Sequence, residues 1–353
     1  MDRNVLVGAG AVIVVLALLV FSLYVPGSGQ SDDASTAAEL RPISFVTDWK
    51  AQAEHGGFYQ ALANGYYADA GLDVTIRPGG PGINVPQLLA SGSVDFGMGS
   101  NSFIPLNIVA ADAGAKAVMA SFQKDPQVLI THPRDDVKTL EDMRGMPIMV
   151  SDATISAFWV WLRSRFGFTD DQIRKYTFNL APFLVDERAI QQGYLSSEPY
   201  SIEKEAGFTP QVFLLSDHGY PGYATFILAN TSMIDQEPEL VQAFVDATIK
   251  GWVSFLYGDA APATALILAD NPDMSDDVVA QAIEKLKEYG IADSGDALTL
   301  GIGAMSEERW LTFFTVMSEN GVYDPALDWR QAYTLAFVNK GVGLDLKEQL
   351  TAE

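Results

Sequence analysis

ISFVTDWKAQAEHGG, residues 43–57, runs straight into FYQALANGYYADAGLDV, residues 58–74, and the fold follows from how this stretch is read. An apolar strand over 43–46 gives way to a polar loop carrying Asp48, Trp49, Glu54 and His55. A helix then starts near Gly57 and stops near Gly71, and 72–76 reads as a second strand. A strand-to-helix loop that holds a Trp, a Glu and a His is costly unless something docks on it. In open α/β sheets, ligands sit outside the carboxyl ends of the strands, where such loops gather. This loop is the first candidate site, for a small flat solute.

Downstream, Pro78, Gly79, Gly80, Pro81 and Gly82 must form a turn. Asn84 then opens a short helix, either as its N-cap or as a ligand donor. Short strands over 94–97, 117–122, 127–132 and 147–150 alternate with helical segments, the last of them opening at 157–166. Residues 178–180 read as a strand, 187–192 as helix, and 212–215 and 224–229 as strands. Such alternation predicts an α/β fold with parallel or mixed sheets. From Pro238 the pattern is helical, over 240–256, 278–289, 307–319 and 329–338. Trp252, Trp310, Phe313, Phe314 and Phe337 recur there at helical spacing, which predicts core.

Residues 41–140 and 224–345 are expected to form one lobe and 141–223 the other. Two crossings, near 134–140 and 219–223, would make a hinge, and a hinge lets a ligand select a closed state. Residues 5–25 carry no charge and suffice to span a bilayer as a helix. They are read as a membrane anchor or a signal segment, followed by a Gly/Ser/Asp-rich linker over 26–40. Arg3 precedes the span, and Asp32 and Asp33 follow it, so the body of the chain belongs outside the cytoplasm.

The chain has 45 acidic against 22 basic residues, a net charge of −23, which argues against nucleic acid as a partner. The absence of cysteine excludes disulfides, thiolate metal sites, thiol nucleophiles and a lipid-modified cysteine. The three histidines stand far apart, no nucleophile elbow occurs, and no glycine-rich loop ends in the lysine of a phosphate site. No catalytic residue, metal or cofactor is expected.

Trp49 and Tyr59 sit at loop edges and are candidate platforms for a flat ring. Glu54 and His55 either hydrogen-bond a heterocycle or satisfy backbone groups. Ser100, Asn101, Ser151, Asp152 and Thr154 belong to loops that end strands and open helices, and would face each other across the cleft. Glu198 suits a ligand amino group, with Tyr200 as a facing platform; the alternative is a plain Pro turn with a surface acid.

The run TDWKAQAEHGGFYQALANGYYADAGLDVTIRPGGPGINVPQLLASGSVDFGMG, residues 47–99, resembles the signature of one branch of periplasmic binding proteins. That branch binds thiamine pyrimidine precursors and lies within the nitrate, sulfonate and taurine group of ABC importer receptors. The segment from Gln192 to Tyr200 is similar to the group's second lobe. The resemblance implies a type II two-lobed fold, two mixed sheets joined by a two-strand hinge, with a ligand in the cleft. It implies roles for Trp49, His55, Phe58, Tyr59, Asn84 and Glu198, a pyrimidine-like or related nitrogen heterocycle as ligand, and an ABC permease of the inner membrane as partner. Fungal pyrimidine synthases in the same branch use a similar histidine and a cysteine-rich motif. The lack of any cysteine here argues against an enzyme. A small-anion receptor would need Arg or Lys converging in the cleft, and Lys50 is the only base in the opening loop.

Overall fold

The computed structural model describes residues 39–352. The anchor or signal segment at 5–25, and the linker through residue 38, lie outside the described residues. In chain order the strands are β1 (Arg41–Val46), β2 (Leu72–Arg77), β3 (Phe96–Asn101), β4 (Ala115–Phe122), β5 (Gln127–Thr131), β6 (Ile148–Val150), β7 (Ile173–Lys175), β8 (Ile190–Tyr194), β9 (Gln211–Leu214) and β10 (Ala224–Asn230). They form two 5-stranded sheets, ordered β2-β1-β3-β10-β4 and β7-β6-β8-β5-β9. β1 pairs in parallel with β2 and β3, while β10 lies antiparallel to β3 and β4. The second sheet repeats the pattern, with β6 parallel to β7 and β8, and β5 antiparallel to β8 and β9.

Each antiparallel strand is the first one after the chain changes sheets. β5 follows the crossing at 123–126, and β10 follows the crossing at 215–223, which opens as the 3-10 turn Leu215–His218. The first crossing therefore comes earlier than the expected 134–140, and residues 127–140 belong with the second lobe. The apolar run at 127–132 is equally suited to either sheet, and only its partners β8 and β9 decide where it pairs.

Three local expectations also fail. The strand expected at 178–180 lies instead at Ile173–Lys175. The helix expected over 187–192 is the central strand β8, whose Gln191 and Gln192 are buried and give it a surface-like sequence. At 329–338 only the turn Trp329–Ala332 is helical. The aromatic residues Trp252, Trp310, Phe313, Phe314 and Phe337 are all buried in the core, as their spacing predicts.

The helix Gly56–Ala63, which carries the first candidate loop, is held by the helix Pro238–Tyr257. Phe58 packs edge-on against Phe45 and Trp252, with ring centroids 4.8 and 5.8 Å apart. Close approach here requires glycine. A Cβ at Gly251 would collide with the Gly57 carbonyl and lie 2.6 Å from the Ala61 Cβ. Gly251→Ala is therefore expected to destabilise the protein by about 1–3 kcal/mol through overpacking. Gly80→Ala, which meets open space, should stay within about 0.5 kcal/mol of wild type. Denaturant unfolding of the two variants checks this, and equal midpoints would contradict the packing described.

Candidate functional site

The ends of β1, β3, β6 and β8 converge on a cavity of about 280 Å³ between the two sheets. From the first lobe it is lined by Asp48, Trp49, Gln52, Glu54, His55, Met98, Ser100 and Asn101. From the second come Ser151, Thr154, Phe158, Phe178, Gln192, Tyr194 and Glu198, and from the crossings Asp125 and Tyr220.

The loop after β1 is held in place by backbone bonds. Thr47 Oγ1 donates to the Trp49 carbonyl at 2.8 Å, and the Gly79 N–H donates to the same carbonyl at 2.9 Å. A side chain at Gly79 would run into the Thr47 carbonyl, so the Gly-rich turn serves to clamp this loop. Asn271 Nδ2 donates to the Ala51 carbonyl at 2.8 Å from the far side. Trp49 is thereby left half-buried at the cavity edge, its ring 5.4 Å from Phe178 of the second lobe. Phe178 in turn lies 5.3 Å from Tyr176 and is held at φ 60°, a conformation unusual for an aromatic residue. The aromatic residue facing Trp49 is thus Phe178.

His55 ends a 3-10 turn directly before the helix and is fully buried. Among the described residues neither ring nitrogen has a hydrogen-bond partner, and Asp48 lies beside it, with Nε2 and Oδ1 3.5 Å apart. A buried imidazole without a partner costs free energy, and this one lies on the cavity wall. Asp48 itself accepts from Ser100 Oγ, and Glu54 accepts from Ser196 Oγ of the opposite lobe. Ser151 N and Thr154 Oγ1 both donate to Gln192 Oε1, at 2.6 and 2.7 Å. Glu198 accepts from the Tyr194 N–H at 2.8 Å and, more weakly, from Tyr176 Oη at 3.4 Å. Desolvation, the largest influence on it, pushes the Glu198 carboxyl above its ordinary range.

Four carboxylates, Asp48, Glu54, Asp125 and Glu198, therefore share one cavity, and among the described residues no Lys or Arg lines it. Nor do the described residues include a group of three His, Asp or Glu able to hold a metal ion. The structure suits a ligand with apolar faces and a hydrogen-donating or cationic rim.

Of the expected site residues, Trp49, Glu54, His55, Ser100, Asn101, Ser151, Thr154 and Glu198 line the cavity. Five do not. Phe58 and Tyr59 are turned into the core, Tyr59 donating to Asp270 at 2.7 Å. Asn84 is exposed and caps its helix, accepting from the Gln87 N–H at 3.1 Å. Asp152 points outward to Lys175 at 3.0 Å. Tyr200 donates to Asp277 of the first lobe at 2.7 Å, outside the cavity. Sequence reading missed Phe178, Asp125, Gln192 and Tyr194 as lining residues. Asp125 followed by Pro126 was a readable break between two strands; Phe178 had no comparable signal.

Residues 52–259 match the model of a family described as NMT1/THI5 like. The chain is 26% identical over 306 residues to the formylaminopyrimidine-binding protein of Halalkalibacterium halodurans, covering 84% of this chain and 90% of that protein. It is 23% identical over 358 residues to the riboflavin-binding protein RibY of Chloroflexus aurantiacus, covering 93% and 97%. Among solved structures, the periplasmic aliphatic sulphonate binding protein SsuA of Escherichia coli superposes with a TM-score of 0.64 at 15% identity, covering 83% and 92%. That likeness is one of fold, and it is the two-lobed periplasmic-binding-protein fold described above. With its family model spanning both crossings and most of the residues that line the cavity, the chain belongs to the NMT1/THI5-like family.

Proposed function

We propose that this protein is the extracytoplasmic substrate-binding receptor of an ABC importer, and that its cavity takes a pyrimidine-like or related nitrogen heterocycle. The observation that carries the reading is the cavity lining, with Trp49 and Phe178 at one edge, four acidic side chains around it and, among the described residues, no Lys or Arg. An aromatic contact is worth about 0.5–1.5 kcal/mol beyond area burial, so a flat ring is favoured against the edge that these two side chains form together. An amino-bearing edge would meet Glu198 and Glu54, while the unpartnered His55 offers a ring nitrogen as donor or acceptor. Ser100, Asn101, Ser151 and Thr154 complete the polar rim.

Electrostatics favours a heterocycle over a sulfonate or nitrate. At an effective dielectric of about 20, each carboxylate about 8 Å away repels an anion by about 2 kcal/mol. The acids of the cavity that are ionised add such repulsions, and among the described residues no Lys or Arg lines the cavity to offset them. The cavity volume is also near the lower end of the roughly 300–1,000 Å³ usual for small-molecule sites, which favours a compact heterocycle. The formylaminopyrimidine-binding relative supports this ligand class. No covalent step is required, so the protein acts as a carrier and hands its ligand to a permease in the inner membrane. It works on the periplasmic or extracytoplasmic face, tethered there if residues 5–25 are retained.

A thermal-shift and calorimetric screen of the purified protein with formylaminopyrimidine, other aminopyrimidines, flavins, purines and alkanesulfonates tests the reading. Heterocycles are expected to raise the melting temperature and sulfonates to leave it unchanged; a shift with sulfonates alone would sink the proposal. For the bound heterocycle, Trp49→Ala is expected to weaken affinity at least about tenfold. Glu198→Gln should weaken an amino-bearing ring by about ten- to a hundredfold while sparing a ring that lacks the amino group. Equal losses for both rings would remove Glu198 from that contact.

A further inference from the structure

Asp125 stands apart from the other acids of the cavity because it lies on the first crossing, between β4 of one sheet and β5 of the other. Its side chain is 2% exposed, and Oδ1 accepts a single hydrogen bond, from the Gln127 N–H at 3.1 Å. Among the described residues, the cations near it are already engaged elsewhere. Arg309, on the helix Glu307–Glu319, donates to the carbonyls of Gln123, Pro221 and Gly222 and stacks 3.9 Å from the Tyr223 ring. It therefore ties the two crossings together and makes no ion pair with Asp125. Lys124, on the same crossing, pairs instead with Asp217 at 2.9 Å on the outside.

Among the described residues, the remaining groups facing Asp125 include no Lys or Arg. Tyr194 approaches from β8 and Tyr220 from the second crossing. Asp48, Glu54, His55 and Glu198 lie around the same cavity. A buried carboxylate with one backbone donor and an open face toward a cavity is an incomplete site.

We propose that Asp125 is a second anionic contact for the ligand, built into the hinge itself, so that the positive or N–H-bearing edge of the ligand is recognised by the segment that bends on closure. The inference rests on the heterocycle reading and deepens it. The ligand class becomes one with two separated donor or cationic points, one for Glu198 and one for Asp125.

Protonation supports it. Burial raises the Asp125 carboxyl to about 7, against the smaller opposing effects of the Gln127 N–H and the Arg309 charge. A raised acid holds its proton below pH 7, so a ligand that needs the carboxylate must displace that proton. Binding through Asp125 should then strengthen as pH rises toward 7 and level off above it.

The test is calorimetric titration of wild type, Asp125→Asn and Asp125→Glu with formylaminopyrimidine and with other aminopyrimidines, from pH 5.5 to 8.5. Wild-type affinity is expected to climb by up to about tenfold per pH unit below 7 relative to Asp125→Asn, because the titration of the ligand is common to both. At pH 8 Asp125→Asn should bind about ten- to a hundredfold more weakly. Asp125→Glu, which keeps the charge, should retain the pH-dependent rise.

Asp125→Asn is also expected to melt no lower than wild type at pH 8, since it removes a buried charge. If it melts far lower, the Glu variant decides the matter: a pH-dependent rise there supports the contact, and a flat profile overturns it. Wild-type binding with an unchanged affinity and pH profile in Asp125→Asn overturns this inference alone. A wild type that binds none of the probes overturns the heterocycle reading, and this inference with it.

Discussion

The polypeptide changes sheets twice, at 123–126 and 215–223, and the site depends on that constraint. Because β5 and β10 each enter their sheet antiparallel, the carboxyl ends of the parallel strands in both sheets are left pointing at one another. The loops that follow β1, β3, β6 and β8 then have nowhere to go but the space between. Arg309 holds the two crossings from one side through three backbone carbonyls, and further contacts close the cleft from the other. Ser196 reaches Glu54, and Tyr200 and Lys204 both reach Asp277 at 2.7 Å. The two contacts to Asp277 are exposed, of the kind that individually contributes little at a surface, while the Ser196–Glu54 bond is buried. A ligand filling the cavity would add the apolar contact that they lack.

The electrostatic design is unusual for a buried space. Four carboxylates gather there, and neither Lys nor Arg enters among the described residues. Two of them, Asp125 and Glu198, are pushed toward their neutral forms by desolvation. The folded protein thus carries an unfavourable charge arrangement that a donor-rich ligand would relieve; on the proposed reading the cavity would select by repulsion as well as by fit.

Much of the site was readable because the loop after β1 is continuous in sequence. Trp49, Glu54 and His55 lie within one short connection, and a strand-end loop can be placed from periodicity alone. The misplaced residues share a cause: orientation around a helix or turn. Glu198 and Tyr200 are two apart on one helix, so they point in nearly opposite directions, one into the cavity and the other to Asp277. Ser151 and Asp152 are adjacent and diverge likewise. Phe58 and Tyr59 look like a continuation of the aromatic wall, but Gly56 and Gly57 bring their helix against Trp252 and Phe255 and rotate both rings inward.

The amino-acid sequence alone determined the α/β alternation, the acidic charge, the absence of thiol chemistry and the loop at one end of the cleft, because each is a property of local pattern or composition. Tertiary structure decided which sheet the strand at 127–131 joins and that the glutamine-rich segment at 190–194 is buried at a sheet centre. It also decided that Phe178 faces Trp49 and that Asp125 reaches the cavity from the hinge. Those outcomes depend on pairing between segments far apart in the chain, and a short apolar or polar run carries no record of the partner it will meet.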